Sequence, residues 1–207
     1  MDRSHVPNPD ELLERASGGD EEALGQLLGV YRPYLTLLAR LRKNRQLQAR
    51  VGDSDLVQET ALLAHRDFAK FQGTSEQQFT AWLRQLMAHV AANLLRDHER
   101  QQRDVRLEKQ LHEVFNQSSQ IVGQALAATR TTPSQVAARR ERAVLLAQAL
   151  SELPADYREV LVLREMEGMS LRQVSQRMGR TENAVQKLWA RAVVQMRRLM
   201  HDILESS

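Results

Sequence analysis

A chain of 207 residues, 42% hydrophobic but only 4% aromatic, has room for one or two small domains. Leu, Ala, Gln, Glu and Arg dominate, and no stretch alternates apolar and polar residues between turn residues, so an all-α fold is expected. The absence of cysteine excludes disulfides, Cys-ligated zinc and thiol catalysis, and no apolar run suits a bilayer helix or a secretory leader, so the protein is expected to be cytoplasmic. The net charge of +3 says little, but the bases are nearly all arginine, with Lys43, Lys70, Lys109 and Lys187 the exceptions. Arginine binds phosphate and guanine bidentately, as lysine does not.

In chain order, Asn8 is a helix N-cap with Pro9 at the first helical position and Asp10 and Glu11 facing the positive end of the dipole. Gly18 and Gly19 interrupt this region, and Asp20, Glu21 and Glu22 read as a solvated turn. A second helix is expected from about Pro33 to Arg50, with Tyr34, Leu37, Leu38 and Leu41 on one face. A third starts at Asp53 or Ser54 and ends near Gly73, its stripe being Val57, Ala61, Ala64 and Phe68. A fourth starts at Ser75 and runs beyond Arg96. On it Phe79, Leu83, Leu86, Val90 and Leu94 share a face. Beyond Arg103 the pattern decays through Asn116-Gln117-Ser118-Ser119 and Thr131-Thr132-Pro133. The expected organisation is therefore two helical domains, 1–103 and 133–207, joined by a polar linker, 104–132.

The C-terminal part carries the sharpest pattern. Ser170 caps a short helix whose inner face is Leu171, Val174 and Met178. Gly179 ends it, and Thr181 caps the next helix, with Val185, Leu188, Ala192, Met196 and Leu199 inward. Two helices about a short glycine-containing turn make a helix-turn-helix. The outer face of the second helix carries Asn183, Gln186, Lys187, Ala190 and Arg197, with Trp189 and Arg191 at its flanks. Asn and Gln pair with adenine, Arg and Lys with guanine, and a small Ala permits close approach in a major groove. Arg172, Arg177, Arg180, Lys187, Arg191, Arg197 and Arg198 stand against Glu182 alone, a local excess that favours duplex DNA over a plain solvated hairpin. Base contacts are expected from the N-terminal half of this helix and phosphate contacts from the flanking arginines, with Arg172, Arg180 and Thr181 among the DNA-contacting residues.

Leu153-Pro154-Ala155-Asp156-Tyr157-Arg158-Glu159-Val160-Leu161, followed by Leu163-Arg164-Glu165 and Gly168-Met169-Ser170-Leu171, resembles region 4 of the extracytoplasmic-function (group 4) sigma factors of bacteria. Asp53-Ser54-Asp55-Leu56-Val57-Gln58-Glu59-Thr60, and then Phe79-Thr80-Ala81-Trp82-Leu83 with Asn93-Leu94 and Asp97-His98, resemble sigma region 2. The resemblance implies a transcription initiation factor rather than an enzyme. Its partners would be RNA polymerase core, through the clamp helices of the β′ subunit, promoter DNA, and an anti-sigma factor. The matched positions for core are Asp53, Asp55, Leu56, Gln58 and Glu59; read without the resemblance they are an N-cap and a solvated face. The helix-turn-helix would read the upstream (−35) promoter element. Melting of the downstream (−10) element would fall to Phe71, Gln72, Thr74, Ser75 and Gln77 in a loop, and to Trp82, Gln85, His89, Arg96 and Arg100 on the helix after it. An aromatic ring among bases suits an unstacked nucleotide and its phosphates, although Trp82 also suits core packing. Asn93 and Asp97 read as a buried hydrogen-bonded pair.

Enzyme readings lack parts. His5, His65, His89, His98, His112 and His201 show no metal-ligand or triad spacing, no glycine-rich phosphate loop exists, and no cofactor is expected. A dimeric ligand-responsive regulator and a helical adaptor are the other readings of the residues, and the two-part resemblance disfavours both.

Overall fold

A computed structural model describes residues 8–42, 50–99, 105–128 and 138–205. Among the described residues the regular structure is helical: α1 (Pro9–Ser17), α2 (Glu21–Leu41), α3 (Asp53–Asp67) with a 3-10 turn (Phe68–Lys70), α4 (Glu76–Glu99), α5 (Val105–Ala128), α6 (Ala138–Glu152), α7 (Ala155–Leu161) running into a π turn (Val162–Met166), α8 (Leu171–Met178) and α9 (Glu182–Glu205). No helix among the described residues is long and apolar enough to cross a membrane.

Local chemistry sets the first corner. The Asn8 side chain accepts from the Asp10 amide at 3.0 Å, and Pro9 follows where a missing N–H costs nothing. Asp20 accepts from the Ala23 amide at 2.9 Å and from Arg15 at 2.7 Å. The Ala23 amide, and then Arg15, hold its carboxyl below the usual range. Asp20, Glu21 and Glu22 are thus the cap and first turn of α2, not a solvated turn, and α2 begins at Glu21 rather than Pro33. Pro33 lies inside the helix. The carbonyl it leaves unpaired belongs to Gly29, an exposed residue, where water reaches it. The expected end of this helix at Arg50 is also corrected, since Arg42 is extended and α2 closes at Leu41.

α2 is the centre of the N-terminal half. Leu27, Tyr31, Tyr34, Leu35 and Leu38 are buried, and α2 packs on α1, α3, α5 and α6. Val57, Ala64 and Phe68 of the expected α3 stripe are buried, with Leu56 and Thr60 beside them. Phe79 and Leu83 of α4 are wholly buried, and Phe79 meets the Tyr31 ring edge-on with centroids 5.0 Å apart. Burial raises the Tyr31 hydroxyl pKa far above its usual value.

The segment read as a polar linker folds as α5 and packs along α4. Leu111 and Phe115 are fully buried and Ser118 nearly so, the i, i+4, i+7 seam of a helix with one covered face. Its polar residues are used. Arg84, buried on α4, donates from Nε to Asn116 at 2.8 Å and from Nη1 to the Tyr34 hydroxyl at 3.0 Å; Tyr34 donates to Ser119 at 2.9 Å. The side chain of Ser118 returns to the Val114 carbonyl at 3.0 Å.

α6 carries the contact between the halves. Val144, Leu146, Ala147, Ala149, Leu150 and the following Leu153 are buried, and they occupy more than half of the helix circumference. Such a helix needs cover on more than one side. It packs on α2 and α5 of the N-terminal half and on α9 of the C-terminal unit.

Phe115→Ala tests whether α5 belongs to the folded body. Loss of a fully buried phenyl ring is expected to lower unfolding free energy by about 3–5 kcal/mol in urea titration, whereas a free linker would show no change.

Candidate nucleic-acid interface

The C-terminal unit is built so that α9 stands clear of its own core. Arg158 of α7 folds back and donates to the carbonyls of Leu150 at 2.8 Å, Ser151 at 2.7 Å and Leu153 at 3.0 Å, satisfying the open end of α6. The π turn keeps Val162, Leu163 and Met166 buried. Ser170 and Gln173 form a reciprocal capping box: the Ser170 hydroxyl accepts from the Gln173 amide at 3.3 Å, and the Gln173 side chain accepts from the Ser170 amide at 2.9 Å. Gly179 ends α8 at φ +62°, a left-handed conformation that glycine adopts without steric cost. Thr181 then accepts from the Ala184 amide at 3.2 Å to start α9. Val174, Val185, Ala192 and Met196 are buried between these helices, while Leu171, Met178, Leu188 and Leu199 are half-buried.

The opposite side of α9 is open. Asn183, Gln186, Lys187, Ala190, Arg191 and Arg197 are all exposed, as are Arg172, Arg177, Arg180 and Arg198 around them. Val194, one turn beyond Ala190, is 51% exposed in the middle of this face. A groove of about 730 Å³ beside it is lined by Tyr157, Arg191, Val194, Arg198 and their neighbours. Trp189 is tied inward. Its indole N–H donates to Glu165 at 2.8 Å, and the Arg164 guanidinium lies 5.2 Å from its ring centre, fixing the roll of α9 against the π turn. Arg180 pairs with Asp156 on α7, which anchors the turn.

Two further surfaces lie on the N-terminal half. On α3 Asp55, Gln58, Glu59 and Leu62 are exposed at i, i+3, i+4 and i+7, and Leu62 is 57% exposed. Asp53 is on the other side of this helix, 2.6 Å from the buried Arg42, which also donates to the Ala39 carbonyl at 2.7 Å. Burial lowers the Arg42 pKa, and Asp53 opposes that shift. Leu56 is wholly buried, so it anchors α3 to the core and offers nothing to a partner. The five expected contact positions thus separate into one face of three, a buried leucine and an ion-paired aspartate.

The second surface is the loop before α4. Ser75 and Gln78 cap that helix, the Gln78 side chain accepting from the Thr74 amide at 2.8 Å and from the Ser75 hydroxyl at 3.3 Å. Gln72 and Thr74 stay exposed, and Gln77 is half-buried. Phe71 turns under the loop, where a β carbon on Gly73 would come within 2.4 Å of its ring. Phe71, Phe79 and Trp82 pack together, with Trp82 5.2 Å from Phe71 and 5.7 Å from Phe79 between ring centres. Along α4, Gln85 is exposed, His89 lies 3.4 Å from Glu108 of α5, and Arg96 donates to Asn93. Asn93 therefore has a half-buried arginine partner, where a pairing with Asp97 was expected; the Asp97 side chain and Arg100 lie outside the described residues. No group of three or more metal-ligating side chains occurs among the described residues.

The profile of sigma-70 region 4 matches residues 134–196, and that of a helix-turn-helix domain matches residues 10–62. The ECF RNA polymerase sigma factor BldN of Streptomyces coelicolor is 31% identical over 198 residues, covering 93% of this chain and 66% of that protein. A probable RNA polymerase sigma factor, RfaY of Xanthomonas campestris, is 28% identical over 181 residues, covering 87% of this chain. A solved RsbN–BldN complex aligns with 90% of this chain and 98% of its own at 25% identity, with a TM-score of 0.31.

The chain belongs to the extracytoplasmic-function class of the sigma-70 family.

It spans 66% and 41% of the lengths of the two relatives named. The region 4 match takes in α7, α8 and most of α9, ending at Met196, so it contains every exposed α9 position named above except Arg197 and Arg198. The second match covers α1, α2 and α3 as far as Leu62, including the exposed face of this sigma factor's α3. Sequence reasoning missed Val194 and Leu62, two apolar residues at helical spacing from polar positions it had marked. It treated Arg158 only as part of a motif, although three carbonyls at the end of α6 depend on it.

Gly179→Ala places a side chain at φ +62° and is expected to cost about 1 kcal/mol in thermal or urea unfolding, with Gly179→Asn costing less because Asn tolerates this region. Equal stability of the Ala variant would contradict the left-handed turn.

Proposed function

We propose that this chain directs RNA polymerase core to specific promoters, reading an upstream element with the C-terminal unit and opening a downstream element with the N-terminal half. The observation that carries this reading is the exposed arginine-rich face of α9, held outward by the capped helix-turn-helix within the stretch that matches region 4. Relatives that share the family are named as RNA polymerase sigma factors.

Asn183, Gln186, Lys187, Ala190 and Arg191 meet base edges in the major groove, while Arg172, Thr181 and Arg197 take phosphates. Arg180 is shared between Asp156 and the DNA backbone. Asp55, Gln58 and Glu59 offer carboxylates and an amide to the basic clamp helices of polymerase, and Leu62 adds an apolar contact at the C-terminal end of the patch. Gln72, Thr74 and Gln77 receive an unstacked base above the floor formed by Phe71 and Trp82, with Ser75 setting the start of α4. Gln85, His89 and Arg96 follow the strand along α4, and Arg100 extends that line. The chain is thus a binding factor, and its chemistry is recognition.

Purified protein mixed with core polymerase should form a complex near one-to-one stoichiometry and start transcription at a defined promoter. Tight operator binding by the chain alone, without core association, would sink the reading. Lys187→Ala and Arg191→Ala are each expected to weaken promoter binding about fivefold to a hundredfold, with helicity unchanged and a phosphate contact showing as a salt slope smaller by about one. Asp55→Ala should instead weaken core association and leave the DNA contacts of the C-terminal unit unaltered.

A further inference from the structure

Two kinds of contact hold α9, and they constrain it differently. Val185 and Ala192 are wholly buried and Met196 is nearly so, along one line of the helix. Two of these side chains are small, and apolar attraction has no direction. The line fixes how closely α9 lies on its core and only weakly fixes how the helix is turned about its own axis. Trp189 stands at the edge of this line, on the side of the outward Gln186, and is half-buried. There the Glu165 carboxylate accepts from its indole N–H at 2.8 Å, and the Arg164 guanidinium lies 5.2 Å from its ring centre. Arg164 and Glu165 pair with each other, Nε to Oε1, at 3.9 Å.

The π turn makes this clamp possible. Adjacent residues of an α-helix point to different sides. The π turn, closed by the Glu167 amide on the Val162 carbonyl at 2.9 Å, is one residue wider. It brings both Arg164 and Glu165 to one indole while Val162, Leu163 and Met166 stay buried. The two side chains are 31% and 35% exposed, so their contacts add little to stability. Their geometric effect is larger. Side-chain ends lie about 6 Å from a helix axis, so about 10° of roll moves them by about 1 Å. The whole range of a normal N–H···O distance is only about 0.5 Å.

We propose that Glu165 is a specificity-determining positioning residue. Through the indole N–H of Trp189, with Arg164 against the ring, it sets the roll of α9 and so the aim of Gln186, Lys187 and Arg191 at base edges. This rests on the reading of α9 as the reader of an upstream duplex element. Glu165 acts through Trp189 and needs no DNA contact of its own. Its loss therefore lowers discrimination among duplexes more than it lowers attraction to phosphates, which is independent of sequence.

The test uses the full chain. It has two tryptophans, so the nitrogen-15-labelled protein gives two indole N–H resonances, and Trp189→Phe identifies the one from position 189. Glu165→Ala should move that resonance upfield and leave the Trp82 resonance in place, with the thermal midpoint lowered by no more than about 3 °C. The full chain bound to core polymerase is then given a library of duplexes with a randomised upstream box. Glu165→Ala should reduce the preference for the enriched box over its single-base variants about fivefold or more, with affinity for box-free duplex held within about twofold. Glu165→Gln, which keeps an acceptor oxygen, should restore most of the preference. Glu165→Ala added to Trp189→Phe should cause no further loss, because both remove the same bond. The positioning role is overturned if the Trp189 resonance does not move, if specific and box-free binding fall alike, if Gln rescues no better than Ala, or if the two losses add. An unaltered chain that enriches no upstream sequence with core polymerase sinks the promoter reading and the positioning role with it. Enrichment by the unaltered chain, matched by Glu165→Ala, leaves that reading standing and overturns the positioning role alone.

Discussion

A buried arginine organises the N-terminal half. Arg84, 5% exposed, takes Asn116 with one edge of its guanidinium and Tyr34 with the other, and Tyr34 passes the bond to Ser119. Three helices, α2, α4 and α5, are fixed in register by four side chains. A charged group so placed costs several kcal/mol to desolvate, and each bond left unmade would add to that cost. The network therefore tolerates one arrangement of α5 and penalises its neighbours, which a purely apolar seam of Leu111 and Phe115 would not. The elements beyond it follow: α5 packs on α6, and α6 in turn supports α9.

The same residues explain why α5 was illegible. Asn116, Gln117, Ser118 and Ser119 look like a loop because such residues compete with the backbone for hydrogen bonds. Here Asn116 and Ser119 are spent on other helices, and Ser118 on its own turn, so the competition is removed by tertiary contact. The apolar signal was present at Leu107, Leu111, Phe115 and Ile121, but thin. Pro33 misled in the opposite direction. A proline reads as a helix start, yet at this position it lies inside α2 because the true start is fixed by Asp20 and the freed carbonyl of Gly29 faces water. By contrast the boundaries of the helix-turn-helix were legible in the sequence. Its boundaries rest on Ser170, Gly179 and Thr181, whose effects act within four residues and need no partner from elsewhere in the chain.

Legibility of the candidate sites follows the same division. The outward face of α9 was readable because one helix alone determines which side a residue takes. On α3 the marked residues were adjacent in sequence, and helical geometry sends adjacent residues to different sides. Asp53 goes to Arg42 and Leu56 into the core, while Leu62, two turns from Asp55, completes the exposed patch. Trp82 was read as either a stacking platform or core. It is half-buried, with Phe71 and Phe79 behind it, so packing fixes the ring and still leaves part of it exposed.

The small net charge conceals a separation of fields. The α3 patch carries two carboxylates, an amide and a leucine, whereas residues 172–198 carry seven exposed bases against Glu182. On the reading proposed above, each face would repel the other's partner: a polyanion would avoid Asp55 and Glu59, and a basic protein surface would avoid α9, so that like-charge exclusion would add to contact in setting specificity. The internal ion pairs between Arg40 and Glu159 and between Arg42 and Asp53 sit where the two fields meet, and there the charges neutralise one another within the chain. Salt screens all of these interactions together, but least where they are buried, so the long-range separation of fields weakens before the short-range pairs do.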